Sequence, residues 1–72
     1  MAKLIGRGSL AIHSCSVILD APAPVSEIPA LMALPEDYAD SIIAVRGSRI
    51  VADEDLIYDN DSITVFIAAM GG

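Results

Sequence analysis

The sequence is poor in cysteine and in long apolar runs, and each shortage excludes a class of protein. A single cysteine, Cys15, cannot form an internal disulfide, whereas a secreted domain of 72 residues usually needs several. No run of about 20 apolar residues is present, so no transmembrane helix is predicted. The apolar stretch at the start is too short for a signal peptide. We therefore expect a cytoplasmic protein that is not embedded in a membrane.

Basic residues are also scarce. Four Lys and Arg residues stand against ten Asp and Glu residues, which gives a formal net charge of -6. Nucleic-acid binding rewards clustered Lys and Arg, so nucleic acid is not an expected partner. An acidic surface instead favours a partner protein with a basic docking face, because complementary charge aids encounter and specificity. Solubility alone would also account for this charge.

The chain contains no internal repeat, low-complexity tract or linker, so we predict one small domain. Residues 3–12 predict a first strand, in which Gly6 and Gly8 favour a bulge. A turn at residues 13–14 then leads into a return strand at residues 15–19, which completes a hairpin.

A short helix is predicted after the hairpin. The proline-containing segment 20–24 ends the strand pattern. Ser26 is expected to cap the helix, and the carboxylate of Glu27 suits its first turn. Pro35 limits the helix, and residues 36–40 are predicted to be a polar connection. Three apolar residues have the spacing of a helical stripe that faces a core: Ile28, Leu31 and Met32.

The second half of the sequence predicts three strands separated by short turns. The strands are expected at residues 41–45, 50–51 and 62–68, the turns at 46–49 and 59–61, and a single helical turn at 53–56. In the last strand, Ile63, Val65 and Ile67 face one side, and Thr64, Phe66 and Ala68 face the other. Its length and apolarity predict a central position. The order is typical of an α+β domain with one main helix packed on one face of a mixed sheet of four to five strands.

Residues 69–72 follow the last strand and end in two glycines. A tail of this kind has no bulky side chains near its end, so it can thread a narrow channel and present a terminal carboxylate to another protein's active site. Chain termini are also often disordered and rich in small residues, which is the alternative interpretation.

Three segments in this half resemble a known family. They are IAVRGSRIV at residues 43–51, YDNDSITV at residues 58–65 and AMGG at residues 69–72. In order and spacing they resemble the β-grasp fold of the ubiquitin-like sulfur carriers of thiamine and molybdopterin synthesis, together with their archaeal ubiquitin-like relatives. Pro29 in the helix, Ser48 in place of an acidic residue and Asn60 in place of the turn glycine depart from the family pattern. These departures leave the subfamily open.

The resemblance implies a β-grasp domain at residues 1–68 and a flexible tail at residues 69–72. It implies a carrier protein that is a substrate of partner enzymes, not an enzyme, and that binds no cofactor itself. An ATP-dependent E1-like activating enzyme would adenylate Gly72. A sulfur donor of the cysteine desulfurase or rhodanese type would then convert Gly72 to a thiocarboxylate. The acceptor would be thiazole synthase or the large subunit of molybdopterin synthase.

Two other functions remain possible for the same residues. A protein modifier would form an isopeptide bond between Gly72 and a target lysine, and an interaction module would have an inert tail. Gly71, Met70 and Ala69 complete the expected tail, with Met70 either anchoring in a partner's groove or covering apolar surface. Phe66 is the expected partner contact if it lies on the open side of the sheet. Packing of Phe66 beneath a loop is the alternative.

Other motifs in the sequence give weaker hypotheses. Gly6, Gly8 and Ala11 fit a dinucleotide-binding pattern, but no following helix is predicted and the chain is too short for that fold. His13 and Cys15 are two ligands where a closed zinc site needs four, and no metal site is expected. One acidic cluster lacks the spacing of a calcium loop and is interpreted as a solvated turn: Asp53, Glu54, Asp55, Asp59 and Asp61.

Overall fold

In a computed structural model the chain is described over residues 1–68, which form seven short strands, two α-helices and two 3-10 segments. The strands are Ala2–Gly6 (β1), Cys15–Val17 (β2), Ala23–Pro24 (β3), Ile42–Arg46 (β4), Arg49–Val51 (β5), Leu56–Ile57 (β6) and Ser62–Ile67 (β7). The helices are Ile28–Leu31 (α1) and Glu36–Ala39 (α2), and the 3-10 segments are Gly8–His13 and Val25–Glu27. The result is an α+β domain.

Five of the strands form one mixed sheet in the order β2-β1-β7-β4-β5. β7 pairs in parallel with β1 and antiparallel with β4, and the β1–β2 and β4–β5 pairs are antiparallel. β3 and β6 form a separate two-stranded antiparallel sheet. The predicted central position of the last strand is therefore confirmed. So are the β4–β5 turn and the return strand, which is three residues long.

One face of the five-stranded sheet is covered by the other elements, and the hydrophobic core lies beneath them. Alternation along the strands of this sheet supplies one half of the core, and the 3-10 segments, α1 with the Met32 that ends it, β3 and β6 supply the other half. The core consists of Leu4, Leu10, Ala23, Val25, Ile28, Met32, Ala44, Ile57, Ile63 and Val65. A domain of this size has a small core, so its stability depends on the packing of these few side chains on the covered face.

The first strand is shorter than predicted. It ends at Gly6, and residues 8–13 form a 3-10 segment instead of continuing the strand. Gly8 adopts a positive φ of 58°, which turns the chain, and Leu10 then becomes fully buried. A Cβ added at Gly6 would overlap the backbone carbonyl of Leu10. The two glycines therefore mark a crossover onto the covered face rather than a bulge.

The predicted helix exists in a shorter form. Ser26 lies in the Val25–Glu27 segment and does not cap α1. Glu27 occupies the cap position without a side-chain hydrogen bond, and a proline follows in the first turn. The predicted stripe is borne out, because Ile28 and Met32 are buried and Leu31 packs against the core. The helix ends before Ala33, whose φ is 54°.

Three connections also differ from the prediction. Residues 36–40 contain a helical turn, α2, instead of a polar loop. Segment 20–24 contains β3, and segment 53–56 is not helical but forms a turn that leads into β6. The pairing of β3 with β6 explains both of the latter changes, because each is too short to show a strand pattern by itself.

Candidate functional site

The second face of the five-stranded sheet is not covered by any element of residues 1–68, and we call it the open face. It is formed by the alternate strand residues that point away from the core, together with Arg7 directly after β1. Its members are Lys3, Ile5, Arg7, Ser16, Ile43, Val45, Ile50, Ser62, Thr64 and Phe66.

Strand register arranges these side chains in rows. Thr64 on the central strand lies beside Ile5 on β1 and Val45 on β4, and Val45 in turn lies opposite Ile50 on β5. In the next row Phe66 lies opposite Ile43. Directly opposed side chains on one face are in contact distance, so these rows form a continuous apolar patch across four strands.

The exposed fractions show that the patch is accessible. Phe66 is 40% exposed, Ile5 is 37% exposed and Ile50 is 73% exposed. Phe66 therefore lies on the exposed face rather than beneath a loop. Contiguous exposed apolar side chains of this kind mark interaction surfaces more often than isolated ones do.

Sequence analysis identified Phe66 but missed the other apolar members of the open face. Ile5, Ile43, Val45 and Ile50 belong to strands whose apolar residues point to both faces, so alternation does not separate core from surface. The pairing register with β7 would have identified them, but register depends on the fold.

Charge is segregated over the same sheet. None of the ten acidic residues lies in a strand, whereas Lys3, Arg46 and Arg49 do and Arg7 follows β1 directly. Glu27 lies in a 3-10 segment and Glu36 and Asp37 lie in α2, and the other acidic residues occupy connections between elements. Arg46 and Arg49 lie on the covered face, so the basic charge of the open face comes from Lys3 and Arg7, in a protein whose net charge is negative.

Acidic side chains in two turns accept hydrogen bonds from the backbone. Asp55 accepts the Ala52 N–H at 2.7 Å. Asp61 accepts the Tyr58 N–H at 2.8 Å and forms an ion pair with Arg46 at 3.1 Å on the covered side. The two backbone hydrogen bonds are those of local turns, as the solvated-turn interpretation expects, whereas the ion pair joins the turn before β7 to β4.

Asp59 connects two distant parts of the chain. Its Oδ1 accepts the Leu19 N–H at 2.8 Å, and its Oδ2 lies 3.3 Å from the N-terminal ammonium of Met1. The Leu19 hydrogen bond, followed by the ammonium, holds the pKa of the Asp59 carboxyl below its ordinary value of 3.8. This contact joins the end of the first hairpin to the turn before β7.

The tail residues Ala69, Met70, Gly71 and Gly72 lie outside the described residues. The structure does describe the point from which they continue. β7 ends at Ile67, and the N–H of Ala68 donates a hydrogen bond to the carbonyl of Ser41, directly before β4. The tail therefore continues from the end of the central strand, next to the pair that Ile42 forms with Ile67.

The remaining candidates do not form a site. His13 ends a 3-10 segment, so it does not share a strand face with Cys15, whose Sγ lies 3.7 Å from the Leu31 carbonyl. Within residues 1–68 no three His, Cys, Asp or Glu side chains are grouped to hold a metal. A cleft of about 270 Å³ beside Ser26, Asp40 and Asp53 is below the size of most ligand pockets.

No family model matches the chain, and the search of curated proteins found no match. Among the helices of residues 1–68, none has the length and apolar character needed to cross a membrane.

Proposed function

We propose that this protein is a sulfur carrier with the β-grasp fold, and that Gly72 is the residue on which sulfur is loaded. The observation that carries the proposal is the position of β7. A long apolar strand lies in the centre of a mixed sheet, parallel to β1, and only Ala68, Ala69 and Met70 separate its end from the Gly71-Gly72 sequence. The order hairpin, helix and strands around it supports the β-grasp assignment.

The chemistry belongs to partner enzymes. A carboxylate is a poor acyl donor, so the terminal carboxylate of Gly72 would attack ATP, releasing pyrophosphate and forming an acyl-adenylate. A persulfide sulfur on a donor would then attack the acyl carbon and AMP would leave. A thiol would cleave the resulting disulfide to free the thiocarboxylate. This chain contributes position, with a rigid domain for docking and a slim tail for reach.

The open face supplies the docking surface in this proposal. Phe66 lies in the same strand that leads to the tail and is separated from Gly72 by few residues. A partner that covers Phe66 and Ile43 would therefore hold the start of the tail close to its own active site. Partly exposed aromatic residues within an apolar patch are common centres of binding energy.

The direct test is a loading reaction on protein that ends at Gly72. The protein is incubated with ATP, the activating enzyme of the same organism and a sulfur donor, and the intact mass and a C-terminal fragment are measured. Replacement of one oxygen by sulfur at Gly72 is the expected result. A Gly71→Val variant, which adds a branched side chain to the tail, is expected not to load.

The other outcomes separate the alternatives. Conjugation of Gly72 to a lysine would make the protein a modifier. An unchanged mass, with the enzyme shown to be active on another carrier, would overturn loading and favour an interaction module. Normal loading of Gly71→Val would contradict the requirement for a slim tail.

Docking is tested separately from chemistry. Phe66→Ala is expected to raise the KM for adenylation while leaving kcat nearly unchanged, because the side chain binds the enzyme and does not touch the reacting atoms. Leu56→Ala is the matched control, since Leu56 is 42% exposed and lies on β6, away from the open face. Equal effects of the two substitutions would argue against docking at the open face.

A further inference from the structure

The open face combines an apolar centre with two basic side chains on one side. Lys3 and Ile5 alternate with the buried residues of β1, so both point away from the core. Arg7 has an extended backbone, with φ -119° and ψ 155°, and its N–H donates to the Val65 carbonyl at 3.0 Å. The alternation of β1 therefore continues through Arg7, which places its side chain beside Phe66.

Neither basic side chain is neutralised within the described part of the chain. The ion pairs among residues 1–68 are Met1 with Asp59 and Arg46 with Asp61, and neither involves Lys3 or Arg7. Both side chains are exposed. Four residues along a strand separate them by about 13 Å, so they flank the row that contains Ile5 and Thr64.

The acidic residues are held away from this face. The loop between β5 and β6 packs against the covered side, where the carbonyls of Asp53 and Asp55 accept the N–H groups of Ser26 and Val25. Asp61 pairs with Arg46, which shares the covered face with Ile63. No Asp or Glu occupies an open-face position in residues 1–68.

We propose that the open face binds a protein surface whose apolar side chains are flanked by carboxylates. The apolar rows would bury the centre of the contact, and the carboxylates would pair with Lys3 and Arg7 along β1. Net charge alone predicts a basic partner, but binding depends on the charge at the contact, which here is positive. Two isolated basic residues are too few for nucleic acid, and a net charge of -6 opposes binding to an anionic membrane.

The proposal is tested with two synthetic amphipathic helical peptides that share a leucine face and carry either Glu or Lys on the polar face. The full-length protein is labelled at isoleucine methyl groups and titrated with each peptide by NMR. The acidic peptide is expected to shift the methyl signals of Ile5, Ile43 and Ile50 saturably, and less strongly as salt is added. The signals of the buried residues Ile28, Ile57 and Ile63 serve as internal controls.

Charge variants identify the cause of binding. Lys3→Gln and Arg7→Gln are each expected to weaken binding of the acidic peptide about threefold, because each removes one exposed charge at the contact. Arg7→Lys should retain most of the affinity and shows whether charge or shape is needed. Arg49→Gln is the matched control, since Arg49 is exposed but lies opposite Arg46 on the other face.

Several results would overturn the proposal. One is a basic peptide that shifts the open-face methyl signals as strongly as the acidic peptide does. A second is the absence of any open-face shift with either peptide. A third is an unchanged affinity in both Lys3→Gln and Arg7→Gln. A fourth is a stronger response of the open-face methyl signals to phosphatidylserine vesicles than to the acidic peptide.

The inference does not depend on sulfur loading. The peptide titration contains no activating enzyme, so a failed loading reaction leaves its result intact. Conversely, a carrier that loads normally but does not bind the acidic peptide would retain the proposed function and lose this inference.

Discussion

The two faces of β7 differ in burial although both are apolar. Ile63 and Val65 are fully buried, whereas Phe66 on the same strand is 40% exposed. The covered face lies beneath the 3-10 segments and α1, and the open face has no element above it in the described chain. Apolar character alone therefore does not decide what a side chain does. Whether a side chain of β7 is buried depends on which elements pack above its face of the strand.

Charge follows the same division. On the covered side, Arg46 is paired with Asp61 and also donates to the Leu56 carbonyl, so its charge is used within the fold. On the open face, Lys3 and Arg7 form no such pair with any residue in the described part of the chain. Within residues 1–68 the covered side thus holds an internal ion pair, whereas the open face leaves both apolar area and two basic side chains exposed. Substitutions on the two faces should separate stability from binding.

The largest expected effect is on the covered face. Ile63→Ala removes a fully buried side chain at the centre of the sheet and should cost about 3 kcal/mol of unfolding free energy. Urea denaturation measures it. If the alanine variant does not fold, Ile63→Val should cost about 1 kcal/mol and provides the same test.

Phe66→Ala is the matched substitution on the open face. Phe66→Ala should lower the free energy of unfolding by about 1 kcal/mol or less, since Phe66 is partly exposed and lies opposite Ile43 on the open face. If Phe66→Ala destabilised the protein as much as Ile63→Ala, the two faces would not differ in the way described.

The second effect concerns the crossover that covers the sheet. In Gly6→Ala the new Cβ overlaps the Leu10 carbonyl, so the backbone must shift, at a cost of about 2 kcal/mol. In Gly47→Ala the cost is about 1 kcal/mol, because φ is 63° but the surrounding space is empty. Thermal and urea unfolding of both variants should reproduce this order. The reverse order would mean that the first 3-10 segment does not pack closely against β1 at Gly6.

Sequence reasoning predicted best where one strand follows another through a short turn. The β4–β5 hairpin and β7 were predicted because Gly47 and the turn at residues 59–61 interrupt clear strand patterns. The central position of β7 also followed from its apolarity. Local signals were sufficient there, since strand and turn preferences agree with the final contacts.

Sequence reasoning failed where distant contacts override local preference. Residues 8–13 contain apolar residues suited to a strand, but burial of Leu10 against Gly6 favours a 3-10 segment. β3 and β6 have two residues each and exist because they pair with one another. Most of the open face was missed for the same reason, because its rows depend on pairing between strands far apart in sequence.

The third prediction concerns Asp59, which joins the end of the first hairpin to the turn before β7. Folding lowers the pKa of Asp59 below 3.8, mainly through the Leu19 N–H. In acid the unfolded chain therefore binds more protons than the folded chain. The stabilisation that the Asp59 carboxylate provides is complete above the unfolded pKa of 3.8. It is lost as the pH falls through the lower pKa of the folded protein. Unfolding free energies measured from neutral to acid pH should show this loss.

Asp59→Asn is the control for that measurement. The amide oxygen can still accept the Leu19 N–H but has no carboxyl proton to titrate. The difference in stability between wild type and Asp59→Asn should therefore be constant near neutral pH and shrink in acid. A constant difference down to the acid limit would show that other carboxyl groups cause the loss.

The smallest effect on stability is expected at the far edge of the open face. Ile50 is 73% exposed, and Thr keeps the branched Cβ that suits a strand, so Ile50→Thr should change stability by about 0.5 kcal/mol or less. The same substitution should weaken binding of the acidic peptide, because it removes apolar contact area. A loss of stability above about 1 kcal/mol would mean that Ile50 is packed within the domain. In that case the apolar row through Val45 and Thr64 would stabilise the folded domain, and the open face would contribute to stability as the covered face does.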